Sequence, residues 1–337
     1  MQVRPFYQRR QRWDIARQSQ LIESFIMNIP VPPLFLYEKD FNKYEVMDGQ
    51  QRVSALQSFY SGEFKLSGLD IWRELNGRTY STLPSQVRSG LDRRSISYVV
   101  VLKESTPDEE DALFLRQTVF ARLNTGGIKL EHQEIRNCLY QGPFNELLEK
   151  LTRIDAFRDA FDLPRFTKEE EDTNTPIPIR EETMYQKMDD VEAVLRFFAL
   201  RHAARYTRGM HGFLDLYMSR ARSFTEEDIE FLRKLFSDTI TLASLIYEKL
   251  VFRPYDPRKQ EWNKNAQVAF YDAVMVSLSR FIDKRDKLIE RRKTIIEITK
   301  KLFIDNPPGT FTGRANTKSD VQGRIEKYGA MIEEILS

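Results

Sequence analysis

Strand signals stop near residue 143, and that break constrains the fold of this 337-residue chain more than any other feature. Before it, short β-branched and aromatic runs alternate with helical periodicities. After it, apolar residues recur almost only at helical spacing, as over 190–206, 225–251, 262–303 and 321–336. The pattern predicts an α+β chain, with an α/β part over 1–143 and an all-helical part over 144–337. Two domains are about what such a length accommodates. In the helical part, Thr225-Glu226-Glu227-Asp228 has the form of a capped helix start. Ile229, Leu232, Phe236, Ile240 and Leu245 continue it as a core stripe. No internal repeat is visible.

In the first part, Leu21, Ile22, Phe25, Ile26 and Ile29 share one helix face that runs up to Pro30. Leu34-Phe35-Leu36-Tyr37, a turn at 39–42 and the stretch from Tyr44 to Met47 read as a β-hairpin. It runs into Asp48-Gly49, a turn pair, and then into a helix that opens with Gln50-Gln51-Arg52 and ends near Gly62. A strand, a tight turn and a helix start make a candidate anion site. The helix start offers unpaired backbone N–H groups, and Arg52 adds a fixed fork of donors. An ordinary corner whose polar residues only cap and solvate fits the same residues equally well. Residues 63–95 are irregular and are expected to pack against the sheet. Residues 97–103 read as a buried strand, followed by a capped helix carrying Leu113, Phe114, Val119, Phe120 and Leu123. That helix leads to Asn124-Thr125-Gly126-Gly127. Two adjacent glycines permit positive φ and close approach to a phosphate or sugar, although Gly-Gly after a helix is more often a C-cap and connector. A further helix over 130–140 is expected to display Gln133, Glu134, Arg136 and Asn137 around the core residues Ile135 and Leu139.

Charge and motifs narrow the chemistry. The net charge is +2 with 30% charged residues, so nucleic-acid binding is neither demanded nor excluded. Two basic stretches are candidates for it: the arm around Arg9 and the loop that runs from Phe311 through Arg314 and Lys318 to Arg324, although a solvated loop is the more common meaning. The acidic, proline-containing stretch 168–179 reads as an exposed loop. The single cysteine, Cys138, excludes an intramolecular disulfide and fits a reducing cytosol. His132, His202 and His211 lack zinc-ligand spacing, and His132 is expected to face solvent. Neither a Walker-type nor a Gly-x-Gly-x-x-Gly phosphate loop occurs, nor a Gly-x-Ser-x-Gly elbow. No apolar run approaches the ~20 residues that span a bilayer, and the first residues lack a secretion signal, so a soluble cytoplasmic protein with no membrane partner is expected. A nucleotide would then be held outside the standard motifs. Asp48 would serve a metal or ribose, Arg52 a phosphate, and Asn124 to Gly127 a backbone cradle, a kit suited to phosphoryl transfer.

Several segments occur together in one order: Gln8-Arg9; Leu21-Ile22-Glu23-Ser24 with Ile29-Pro30-Val31-Pro32-Pro33; Asp48-Gly49-Gln50-Gln51-Arg52; Phe120-Ala121-Arg122-Leu123-Asn124-Thr125-Gly126-Gly127; and Gln133-Glu134-Ile135-Arg136-Asn137. Over roughly residues 5–140 the chain resembles the DUF262 family, the N-terminal (S-type) part of GmrSD restriction systems. The resemblance implies a ParB/sulfiredoxin-like nucleotide-binding fold ahead of the helical domain. It also implies binding of a nucleoside triphosphate with Mg2+, in several members hydrolysis, and a role in bacterial defence against phage or modified DNA. Carried onto this sequence, Asp48, Gly49, Gln50, Gln51 and Arg52 are the nucleotide motif, with Asp48 and Arg52 as the catalytic candidates and Asp48 as the candidate Mg2+ ligand. Asn124, Thr125, Gly126 and Gly127 approach from the second loop, and Gln8 and Arg9 are third contributors. Two-domain members add an HNH nuclease module, and residues 144–337 carry no such His/Asn/His set. That departure points to a separate nuclease or defence subunit, or to a sensor role. The alternative is a non-catalytic DNA-binding module using Arg314, Lys318 and Arg324. An oligomer is compatible with either reading.

Overall fold

The computed structural model describes residues 13–40, 42–101, 131–140, 142–170, 178–313 and 316–337. Gln8, Arg9, the helix expected over 113–123, the loop from Asn124 to Gly127 and Arg314 lie outside these. The chain divides into two compact units, Met1–Leu139 and Tyr140–Ser337.

The first unit is α+β. Helix α1 (Ile15–Ile26) starts at Asp14, whose side chain accepts from the Arg17 amide at 2.7 Å. It stops before the expected Pro30 boundary. Asn28 turns left-handed at φ 60°, and Ile29 is 49% exposed instead of joining the core face. A residue before proline is pushed out of the helical region, so the helix must end upstream. Strands β1 (Leu34–Asp40) and β2 (Lys43–Asp48) form the expected antiparallel hairpin, and helix α2 (Gln50–Tyr60) follows directly. Beyond it come helix α3 (Ser85–Asp92), strand β3 (Tyr98–Val101) and helix α4 (His132–Leu139). The sheet order is β2-β1-β3, with β3 parallel to β1.

Two expectations for this unit are corrected. The expected buried strand at 97–103 is an edge strand among those described, with Tyr98 62% and Val99 46% exposed. An uninterrupted apolar run looks the same in a central strand and at an edge, because periodicity does not record what lies alongside. Residues 63–95 pack on helices instead of the sheet: Phe64, Leu66, Leu69, Leu75, Leu83 and Leu91 close over Leu21, Ile22 and Phe25 of α1 and Phe59 of α2. Glu23 of α1, itself buried, anchors this segment by accepting from the amides of Asp70 (3.3 Å), Ile71 (2.9 Å) and Trp72 (2.8 Å). Bonds to a buried charge are worth about 1.5–3 kcal/mol each and are not additive, so Glu23→Ala should destabilise this unit by about 3 kcal/mol, and Glu23→Gln, which keeps one acceptor, by less. Urea unfolding of the full chain measures both.

In the second unit the elements are α5 (Pro143–Leu151), α6 (Asp155–Ala160), α7 (Thr183–Gln186), α8 (Asp189–Leu200), α9 (Gly209–Arg220) and α10 (Glu226–Tyr247). A two-residue-per-strand hairpin β4 (Tyr255–Asp256) and β5 (Glu261–Trp262) precedes α11 (Val268–Leu278), α12 (Arg285–Glu290), α13 (Arg292–Asp305) and α14 (Lys318–Leu336). The capping box of Thr225 and Asp228 forms as expected at α10. Leu245, placed in its core stripe by spacing, is exposed, and Leu242, Ala243 and Ile246 fill that face. The continuous helical pattern of 262–303 resolves into a hairpin end and three helices. The loop expected over 168–179 is tucked in at both described ends. Glu170 pairs with the buried Arg158 through two bonds of 2.5 and 2.8 Å, and Ile179 is buried. Helix α11 is buried on every side, against α8, α10 and α14, as an apolar helix without a polar face must be.

Candidate functional site

The turn between β2 and α2 is built by backbone geometry. The β1–β2 register pairs Leu36 with Val46 but Phe35 with Asp48, so the ladder is irregular next to Asp48. Such irregularities re-aim a side chain at a strand end. Gly49 follows at φ 95°, ψ 10°, as the N-cap of α2, and no side chain caps that N-terminus. A Cβ built on Gly49 would lie 2.3 Å from Leu34 Cδ2 and 3.0 Å from Arg52 Nη2. Leu34 is buried in the sheet core with Leu36 and Val46, so the space cannot be opened by swinging a loose side chain.

Arg52, one turn into α2, is nearly buried. Its Nη2 donates to Asp48 Oδ2 at 2.8 Å, while Nη1 donates to the carbonyls of Pro33 (3.2 Å) and Pro32. The fork expected to meet a phosphate thus also staples the segment before β1 to the helix start. Among the described residues Nε and the second Nη2 hydrogen have no partner, and the Asp48 carboxylate is about one-third exposed. Gln51 Oε1 accepts from the Trp13 amide at 3.3 Å, which ties the first described residues to the motif. Gln50 is half-buried in the first turn of α2. Asp48, Gly49 and Arg52 therefore converge on an uncapped helix N-terminus, a place suited to negative charge.

Sequence reasoning missed the carbonyls of Pro32 and Pro33 as Arg52 partners, although the Pro-Pro pair flanks the motif. It also placed α4 the wrong way round. Gln133, Glu134, Arg136 and Asn137 are buried, whereas Ile135 and Leu139 are only partly so. Gln133 bridges Asn137 Oδ1 at 3.0 Å and the Arg136 guanidinium at 3.1 Å, while Glu134 accepts from the Glu131 amide at 2.9 Å. The spacing was visible, but a polar network inside and a solvated face outside share one periodicity. His132 is exposed, as expected.

The basic loop near the C-terminus is also corrected. Lys318 is exposed at the start of α14, but Arg324 is fully buried and cannot reach a nucleic-acid backbone from there. Arg324 Nη2 donates to Asn316 Oδ1 at 2.8 Å. It shares the interior with Arg196, whose guanidinium is held by both oxygens of Asp272. Burial lowers the Arg324 pKa and Arg196 adds to that, against the pull of Asp272. Burial would also lower Arg196, but the Asp272 charge and hydrogen bonds outweigh it and leave its pKa raised.

Among the described residues no group of three or more His, Cys, Asp or Glu could hold a metal, and no helix is long and apolar enough to cross a membrane. Compared with known families, residues 2–141 match the model of the GmrSD restriction endonuclease, N-terminal domain. No curated protein and no solved structure matches the chain.

Proposed function

We propose that this chain, whose residues 2–141 match the GmrSD restriction endonuclease N-terminal domain, serves a restriction-type defence system by binding, and hydrolysing, a nucleoside triphosphate with Mg2+ at the Asp48–Arg52 corner. The observation that carries the reading is Gly49: a left-handed residue with no room for a Cβ, between a carboxylate and a bare helix N-terminus. The tight left-handed turn holds the helix start against Asp48 with no side-chain cap on its N–H groups, which are left to meet phosphate oxygens, as in other helix-start phosphate sites. Arg52 neutralises phosphate charge with the donors it does not spend on Pro32, Pro33 and Asp48. Asp48 holds the ion or orients water. Mg2+ supplies charge neutralisation when bound. A single carboxylate fits its habit of taking one or two protein ligands and keeping waters and phosphates for the rest. Gln8, Arg9 and Asn124 to Gly127 complete the pocket in this proposal. A ParB/sulfiredoxin-like arrangement of 1–143 belongs to it too, supported by the hairpin that runs straight into α2. The helical domain then couples nucleotide state to DNA or to a separate nuclease subunit.

A ligand at 100 times its Kd adds about 2.7 kcal/mol of stability, so NTP with Mg2+ should raise the melting temperature by about 5–10 °C. Asp48→Asn and Arg52→Lys should each remove most of that shift, and a hydrolysis assay across four NTPs then separates binding from turnover. No shift with any NTP plus Mg2+ would sink the proposal.

A second reading, nucleotide-independent DNA binding, is favoured by one observation. His202 is held below its ordinary pKa by burial and by Arg201, Arg205 and Arg220, a cluster of positive charge in the helical unit. It requires affinity that falls steeply with salt and ignores NTP.

A further inference from the structure

Four arginines and a histidine gather in the helical unit where three helices end. Arg201 is the C-cap of α8, and His202 leads into a short turn, Ala203–Arg205. The His202 ring lies 6.0 Å from the ring of Tyr217 on α9, at 30° to it. Arg220, three residues further along α9, shares a helix face with Tyr217 and so stands beside His202. Arg201 Nε donates to Ser279 Oγ at 3.2 Å, just past the end of α11, which brings Arg280 to the same place. The crowding shows in the charges. Burial, then Arg201, Arg205 and Arg220, hold His202 below its ordinary pKa. Burial also lowers the Arg201 pKa, and Arg280 adds to that against the pull of Tyr217.

Helix ends account for only part of this arrangement. Each C-terminus carries about half a negative charge, so three of them fall well short of four guanidinium groups. Tyr217 supplies no anion, because burial pushes its pKa up to about 12, against the pull of Arg201. Among the described residues, the side chains of Arg205, Arg220 and Arg280 form no ion pair and no hydrogen bond. All three are exposed, as is His202. An exposed cluster of one sign attracts a partner of the other.

Resting on the nucleotide-independent DNA binding considered above, we propose that Arg201, Arg205, Arg220 and Arg280 are its phosphate-backbone site and that His202 takes up a proton when the phosphates arrive. Duplex DNA carries about one charge per 1.7 Å of its axis, the dense counter-charge that such a cluster needs. Every fixed cation named here is an arginine, whose planar fork meets phosphate oxygens in pairs. Bound phosphates offset the field of Arg201, Arg205 and Arg220 that keeps His202 neutral, so its pKa rises on binding. The complex then holds more protons than the free protein, and affinity increases as pH falls.

Fluorescence anisotropy of the full chain with a labelled DNA duplex tests both parts. Arg205→Gln and Arg220→Gln should each weaken binding several-fold and reduce the slope of log affinity against log salt by about one. Binding should be about three- to ten-fold tighter at pH 6 than at pH 8, within the roughly ten-fold per pH unit that one proton allows. His202→Gln should bind no more tightly at pH 6 than at pH 8, and a pH dependence kept in that variant overturns the proton uptake. Wild-type affinity in an Arg205→Gln, Arg220→Gln double variant overturns the site while leaving DNA binding itself intact. Absence of DNA binding in the wild type sinks the underlying reading and the site together. Polyglutamate competing as well as unlabelled DNA, charge for charge, would point to an acidic protein partner and also overturn the site.

Discussion

Asp272→Ala should lower the stability of the helical unit by about 3–5 kcal/mol, the usual cost of removing one partner from a buried ion pair. Asp272 sits in the middle of α11 with no exposure, and both of its oxygens are engaged by Arg196. Its charge also opposes the burial cost of Arg324, whose Nε and Nη1 have no hydrogen-bond partner among the described residues. Without the carboxylate, two guanidinium groups are left in the interior with only the weaker pull of Glu192 on Arg196 and of Asp320 on Arg324. Replacing both partners, as in Asp272→Leu with Arg196→Met, should recover much of the loss, because an apolar pair of similar volume needs no desolvation. Urea unfolding of the two single variants and the double variant gives the coupling. A single-variant loss below about 1 kcal/mol would mean that the pair does not hold the helices together.

Gly49→Ala is the second large effect expected, about 2–5 kcal/mol in the first unit together with loss of the NTP-induced thermal shift. Two costs add. An L-residue in the left-handed region loses about 1–2 kcal/mol. Forcing a methyl into packed space costs a further 1–3 kcal/mol or so. Here the methyl would overlap the buried Leu34 side chain and press on Arg52 Nη2. Gly62 separates the two costs: it has a similar φ of 75°, but nothing lies within 4 Å of its Cβ position. Gly62→Ala should therefore lose only the conformational part. Equal losses at the two glycines would show that the close approach at Gly49 does not exist.

Local features were legible. The hairpin, the Asp48-Gly49 turn, the helix that opens at Gln50 and the Thr225 cap all depend on residues within a few positions of one another, and all form as their spacing indicates. Half of the proposed nucleotide site, Asp48 to Arg52, is local in the same sense. What failed to show was the partner choice of long side chains. Arg52 reaches back about twenty positions to the carbonyls of Pro32 and Pro33. Glu23 holds amides almost fifty positions away.

By itself, the sequence determined the class of the chain: strands and helices to about residue 143, a helical region beyond, and one tight turn where a carboxylate meets a helix start. The all-helical expectation for 144–337 missed the short hairpin of Tyr255–Asp256 and Glu261–Trp262, whose two-residue strands are too brief for a period-2 pattern to show. Only the tertiary structure decided which polar groups go inside. Gln133, Arg136, Asn137 and Arg324 read as exposed and are buried, while Tyr98, Val99 and Leu245 read as core and are not. The reason is physical. Secondary structure follows from backbone and neighbouring side chains, which periodicity records. Burial follows from what packs opposite, and a polar group goes in wherever a distant partner meets its charge or hydrogen bonds, as Asp272 does for Arg196 across 76 residues of chain.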